Sequence, residues 1–113
     1  MPHLLFRGIP AERLKGASAS LAEELAAVCG CGTDNFTMSC LHSDNVFGFG
    51  EGETSFVFIE VGWFERGRLV RNRFAEAVTR SLRELGIGEI EIVFSAYRED
   101  SYYINGEPVG SGS

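Results

Sequence analysis

Basic charge is scarce in this chain. Lys and Arg together number 10 against 16 Asp and Glu, a net charge of −6, and that balance argues against a general nucleic-acid binder, which needs a basic excess. Long apolar runs are missing. None approaches the roughly 18 residues of a membrane span, so no transmembrane helix is expected. The opening Met1-Pro2-His3-Leu4-Leu5-Phe6-Arg7 is too short and too soon charged for a signal peptide, and the expected location is the cytoplasm. Cysteine is sparse as well: Cys29, Cys31 and Cys40 always leave one thiol over, so they cannot make a disulfide framework, and reduced cytosolic thiols fit better. What remains is ordinary for a folded domain. The 113 residues are 44% hydrophobic and 23% charged, which excludes a disordered or fibrous chain and suits one domain with its own core.

Hydrophobic periodicity sets out the elements. Pro2 to Gly8 reads as a strand with Leu4 and Phe6 on one side and His3, Leu5 and Arg7 on the other; a proline fits its first position, where a missing N–H costs least. Leu14, Ser18, Leu21, Leu25 and Val28 recur at steps of four and three, one face of a helix from about Ala11 to Cys29, with Pro10 at its start and Gly30 past its end. Phe36, Met38 and Cys40 alternate with Thr37 and Ser39 in a second strand. Ser43 to Thr54 is rich in Gly and acidic residues and reads as a loop or hairpin.

A second cycle follows. Phe56 to Trp63 is an apolar strand dense enough to suggest burial on both faces. Arg66 to Leu85 is a helix with Val70, Phe74, Val78, Ser81 and Leu85 on one side and Gly86 as its stop. Glu89 to Tyr97 is a strand with Ile90, Ile92, Phe94 and Ala96 inward. The stretch Tyr102-Tyr103-Ile104-Asn105-Gly106-Glu107 contains Asn-Gly, the strongest short hairpin signal.

A shift of 56 residues lays Phe36, Met38 and Cys40 on Ile92, Phe94 and Ala96, Leu14 on Val70, Ser18 on Phe74, and Pro2 on Phe58. The expected fold class is therefore α+β: tandem β-α-β repeats (about 2–42 and 56–97) and a C-terminal hairpin (about 98–109) in a single domain over 1–109. Residues 110–113, Gly-Ser-Gly-Ser, read as a disordered end or an expression remnant. Each helix is long enough to cross over, so the two strands of each repeat should be parallel. Four strands with both helices on one face leave the other face bare, which calls for an oligomer.

A β-α-β-β-α-β duplication behind Met1-Pro2 resembles the tautomerase superfamily, and in particular a bacterial group of this fold whose chains begin Met-Pro-His-Leu. The likeness runs from about Pro2 to Glu107. It is carried by Ile59 to Glu65 with Arg66-Gly67-Arg68 (first strand and basic turn), by Phe74 to Leu82 (helix), by Glu91-Ile92-Val93-Phe94 (strand) and by the Tyr102 to Glu107 hairpin. The resemblance implies a homotrimer, with a catalytic proline at the mature N-terminus, which here is Pro2, and a site lying between subunits. It implies substrate-binding arginines in the basic turn and first helical turns: Arg66 and Arg68 match best, with Arg71 and Arg73 next. It places the hairpin aromatic at Tyr102 or Tyr103, with Tyr97 and Glu60 as weaker candidates. Glu91 stands where 4-oxalocrotonate tautomerase has an arginine, and an acid there would repel a dicarboxylate. Phe58 in the second repeat leaves one proline site per chain.

The chemistry of such a proline is simple. While Met1 is attached, the Pro2 nitrogen is an amide and cannot be a base. Once Met1 is removed it is a secondary amine. An α-amino group ordinarily titrates near about 7.7–8.0, and burial and nearby arginines lower that value. A base poised near working pH takes a proton from carbon next to a carbonyl. Arginine suits a carboxylate because its planar fork bonds both oxygens, and nine of the ten basic residues are Arg. A Tyr hydroxyl can hydrogen-bond a developing enolate. His3 alternates to the face opposite Pro2 and reads as structural or interfacial.

The expected function is thus a tautomerase or isomerase, or a dehalogenase-, hydratase- or decarboxylase-like variant, acting on a small 2-oxo, enol or unsaturated carboxylic acid. Pro2 would be its base or acid, with no cofactor, no nucleic acid and no membrane. Two alternatives stand beside it. One is a non-enzymatic structural or binding trimer of the same fold. The other is a metal-binding module using Cys29, Cys31, Cys40 and His42, which the one-residue gap between the first two thiols disfavours.

Overall fold

A computed structural model describes residues 1–110. Four strands, β1 (His3–Arg7), β2 (Thr37–Cys40), β3 (Phe56–Trp63) and β4 (Glu89–Ala96), form one mixed sheet in the order β2-β1-β3-β4. The pairs β1–β2 and β3–β4 are parallel, and β1–β3 in the centre is antiparallel, with His3 opposite Gly62. Helix α1 (Ala11–Cys29) connects β1 to β2, and α2 (Arg68–Glu84) connects β3 to β4. A small hairpin of β5 (Tyr103–Ile104) and β6 (Glu107–Pro108) ends the described chain. Its turn is Asn105-Gly106 with φ of 51° and 84°, two positive values that Asn and Gly tolerate best. The proposed tail falls mostly on residues 111–113, outside the described residues.

The core lies between the sheet and the helices. Leu4 and Phe6 of β1 and Val57, Ile59, Val61 and Trp63 of β3 are buried, packed with Leu14, Leu21 and Leu25 of α1 and Phe74, Ala77, Val78 and Leu82 of α2. Burial of each such side chain stabilises the fold by roughly 1.5–3 kcal/mol before entropy is counted. An Arg80–Glu24 ion pair and an Arg13 bond to the Leu85 carbonyl link the helical layer at its surface.

Four expectations need correction. The strand Phe56–Trp63 is buried on one face only. Phe56, Phe58, Glu60 and Gly62 point to the side that carries no helix and are half-buried within a single chain, so its dense apolar run is only half used by this chain's core. Helix α2 begins at Arg68, because Gly67 adopts φ 92° and ψ 161°, outside the helical region; Arg66 therefore stands in the connecting loop. The uniform 56-residue shift also slips by one in the first strands. Buried Leu4 and Phe6 match buried Val61 and Trp63, a shift of 57, whereas the helices keep 56, since Leu21 matches Ala77 and Ala26 matches Leu82. A strand slipped by one shows its opposite face, so Pro2 corresponds to Ile59, not Phe58. Ala96, expected inward, is exposed at the end of β4.

Candidate functional site

The N-terminal end of β1 is where the chemistry-bearing residues meet. Pro2 is fully buried, and its carbonyl accepts the Thr37 N–H at 3.1 Å, which continues the β1–β2 pairing by one residue. One step beyond the His3–Gly62 pair, Pro2 and Trp63 share the helix-covered side of the sheet. Trp63 is completely buried, stacked edge-on to Phe74 at 5.3 Å and beside Phe94 at 4.9 Å. The Arg66 guanidinium lies 5.9 Å from the Trp63 ring centroid, a cation–π arrangement. Two donors in this stack, Trp63 Nε1 and Arg66 Nε, are buried and have no acceptor among the described residues. Buried donors are nearly always paired, and leaving one unpaired costs about 1–3 kcal/mol.

Charge at the chain start follows from the same neighbours. Burial first, and the Arg66 guanidinium second, hold the Met1 amine below the ordinary range of an α-amino group, while Cys31 and Cys29 act in the other direction. Burial pushes the Cys29 thiol up, opposed by Arg66. Cys29 and Cys31 thus border this end of the sheet, although the sequence offered them only as ligands of the metal-binding alternative and not as part of a proline site.

The remaining arginines divide. Arg71 donates to Glu65 Oε2 at 2.6 Å, and the same oxygen accepts the Gly67 N–H at 2.9 Å, so Glu65 closes the turn and occupies Arg71. Both partners are over a third exposed, and such a pair contributes little to stability. Arg68 and Arg73 are exposed on α2 and form no ion pair among the described residues. Arg66 is the one arginine of the four that lies over Trp63 and whose charge acts on the Met1 amine.

The tyrosines stand on the other face of the same sheet end. His3 alternates to the bare face, where its Nδ1 lies 2.7 Å from Thr37 Oγ1 and its Nε2 3.0 Å from Tyr102 Oη. A neutral imidazole between two hydroxyls donates through one nitrogen and accepts through the other. Tyr102 packs on Phe64 at 5.0 Å and Tyr97 at 5.4 Å. Tyr97 crosses over Gly62 so closely that a Cβ there would fall 1.8 Å from its hydroxyl oxygen. Burial raises the Tyr97 phenol above its ordinary value, and Tyr102 adds to that. Tyr103 is 61% exposed on the hairpin and touches none of this. Glu60 pairs with Arg7 at 3.5 Å on the bare face, and Glu91 is exposed on β4.

Two concavities lie along β1. One, of about 430 Å³, lies on the bare face among His3, Leu5, Thr37, Glu60, Val93 and Tyr97. The other, of about 380 Å³, lies at the opposite end of β1 among Gly8, Pro10, Glu12, Cys40, His42 and Asn45. Pro2 lines neither: with Met1 attached, its ring is enclosed. The second hollow also separates Cys40 and His42 from Cys29 and Cys31, since Cys40 pairs with Phe6 at the far end of β1. Among the described residues no group of three or more His, Cys, Asp or Glu is placed to hold a metal, and no helix is long and apolar enough to cross a membrane.

The family model for a domain of unknown function, DUF1904, matches residues 1–108. The chain belongs to the DUF1904 family. A DUF1904 domain from Sebaldella termitidis is 32% identical, with a TM-score of 0.84 over 96% of this chain and 99% of that one. A macrophage migration inhibitory factor homologue from Prochlorococcus marinus is 19% identical, with a TM-score of 0.77 over 96% of this chain and 99% of that one. A malonate semialdehyde decarboxylase is 16% identical, with a TM-score of 0.63 over 90% of this chain and 89% of that one. The last two similarities show the fold alone, and that fold is tautomerase-like. No curated protein sequence matches the chain.

Proposed function

We propose that this DUF1904 protein is a tautomerase-like enzyme whose Pro2, freed of Met1, moves a proton on a small 2-oxo, enol or unsaturated carboxylic acid. The observation that carries the reading is the pair of buried, acceptor-less donors, Trp63 Nε1 and Arg66 Nε, beside a chain start whose amine is held below its ordinary pKa. Loss of Met1 would leave the ring nitrogen of Pro2 among the same neighbours. There, burial and Arg66 favour its neutral form, the form that accepts a proton. A substrate carboxylate or enolate oxygen reaching Trp63 and Arg66 would satisfy both donors, and its negative charge would be held as it develops.

The assembly proposed with this reading is a homotrimer. The bare sheet face presents Leu5, Phe58 and Val93, and β4 ends the sheet as an edge strand, surfaces that a second copy would cover. Tyr102 and Tyr97 lie on that side, so a neighbouring subunit's copy of them, not the chain's own, would be the one to approach Pro2. Arg68 and Arg73, exposed and in no ion pair among the described residues, are further candidates for substrate contact; Arg71 is held by Glu65. No cofactor enters this scheme, and the second reading, a trimer of the same fold without turnover, shares every element of it except the proton transfer.

The test is enol–keto conversion of phenylpyruvate by wild-type protein of verified Met1-free mass and by Pro2→Ala. The expected result is conversion by wild type and a loss of about 10²-fold or more in the variant, the size of a general acid–base contribution. Equal rates would remove Pro2 from the mechanism and leave the non-enzymatic trimer.

A further inference from the structure

The last turn of α1 holds chemistry that the proposed proton transfer does not use. Cys29 ends the helix, Gly30 caps it in the left-handed conformation at φ 66° and ψ 39°, and Cys31 follows. With fixed bond geometry, the distance between the Cα atoms on either side of a residue depends only on that residue's φ and ψ. Gly30 is close to the mirror image of a helical residue, so it sets Cys29 and Cys31 at the helical i, i+2 separation. On a cylinder of about 2.3 Å radius with about 1.5 Å rise per residue, that separation is about 5.4 Å. Disulfides need about 4.4–6.8 Å between Cα atoms. The backbone therefore already holds the two cysteines within bridging range, and glycine is the residue that sits in this conformation without strain.

The turn is fixed rather than free. The Cys31 N–H donates to the Ala26 carbonyl at 3.0 Å, and the Gly30 N–H to the Ala27 carbonyl at 3.4 Å. Both thiols are free and partly exposed. The Arg66 guanidinium faces Cys29 and favours its thiolate against the effect of burial. The third thiol, Cys40, lies at the far end of β1 and does not compete.

We propose that Cys29-Gly30-Cys31 is a redox-active dithiol beside the chain's N-terminus that is oxidised by low-molecular-weight disulfides. One cysteine thiolate attacks a sulfur of the small disulfide, whose S–S bond breaks to release one small thiol and leave a mixed disulfide. The second cysteine, as thiolate, attacks the protein-bound sulfur, forms the Cys29–Cys31 bond and expels the second small thiol. The two protons lost by the cysteines end on the two departing thiols. The protein loses two electrons and the small disulfide gains them.

Full-length reduced protein, incubated with excess oxidised glutathione and quenched with N-ethylmaleimide, tests this by intact mass and peptide mapping. The expected product is a monomer about 2 Da lighter than the reduced chain before alkylation, with one alkylated thiol, at Cys40, and a Cys29–Cys31 bridge. Cys29→Ser and Cys31→Ser should each stop at a mixed disulfide, about 305 Da heavier, because no resolving thiol remains. Three alkylated thiols, a wild-type protein arrested as the mixed disulfide, or a bridge through Cys40 would each overturn the proposal.

Discussion

Gly62→Ala separates two physical effects that predict opposite signs. Gly62 lies inside β3, and intrinsic preference alone makes alanine there stabilising by about 0.5–1 kcal/mol, because glycine loses more backbone freedom on folding. Packing says otherwise. A Cβ at this position would fall 1.8 Å from the Tyr97 hydroxyl oxygen and 2.4 Å from its Cζ, too close for any small adjustment. Tyr97 would have to leave, and with it the contacts to His3, Phe64 and Tyr102. Aromatic pairs contribute about 0.5–1.5 kcal/mol each, least where exposed, and overpacking costs about 1–3 kcal/mol. The expected net effect is destabilisation by about 2 kcal/mol, a fall in Tm of about 8 °C for a domain of this size. Thermal unfolding followed by circular dichroism measures it, and Tyr97→Ala supplies the control. In that background the Cβ meets no ring, so Gly62→Ala should be neutral or stabilising, giving a coupling of at least about 1 kcal/mol in the double-mutant cycle. Additive effects, or a Gly62→Ala protein as stable as wild type, would show that Tyr97 does not rest on Gly62.

Two further outcomes follow from the buried groups. Trp63→Phe removes the acceptor-less Nε1 while keeping an aromatic ring against Phe74 and Phe94; kcat/KM for phenylpyruvate should fall about 5- to 20-fold, the value of one hydrogen bond, while Tm moves less than it does for Trp63→Ala. Cys29 in the reduced protein should react with iodoacetamide more slowly at pH 8 than a free thiol, its rate rising through a pKa above the ordinary range as burial dictates; a rate matching that of a model peptide would contradict the burial of its sulfur.

Much of this architecture is legible in the sequence because periodicity and punctuation agree. Leu14, Leu21 and Leu25 mark one side of α1, Pro10 and Gly30 mark its ends, and the helix occupies Ala11–Cys29 as expected. Asn105-Gly106 likewise fixes the hairpin turn. The errors arise where the pattern is ambiguous. Phe56 to Trp63 reads as buried on both faces because Phe56 and Phe58 are as apolar as Val57 and Ile59, and periodicity cannot tell a face covered by this chain from one left for another. A one-residue slip between repeats is invisible when both registers place apolar residues on apolar residues, and only burial decides it.

The candidate site is less legible still. Four arginines crowd residues 66–73, and nothing in their spacing says that Glu65 occupies Arg71 while Arg66 stacks on Trp63. The proximity of Cys29 and Cys31 to the chain start depends on β1 and the end of α1 meeting at the same edge of the fold, which is tertiary information. The one available signal was the Cys-Gly-Cys spacing itself, which rules against zinc but favours a tight thiol pair.

The central claim concerns the state of one nitrogen, and it can be observed directly. Protein labelled with ¹⁵N at proline, with Met1 removal verified by mass, allows the Pro2 resonance to be followed against pH. The account predicts a single titration with a midpoint below the ordinary α-amino range of about 7.7–8.0, moving upward in Arg66→Met as the nearby positive charge is lost. A midpoint at or above that range, unchanged by Arg66→Met, or a Pro2 nitrogen that does not titrate because Met1 stays attached in the native protein, would contradict it.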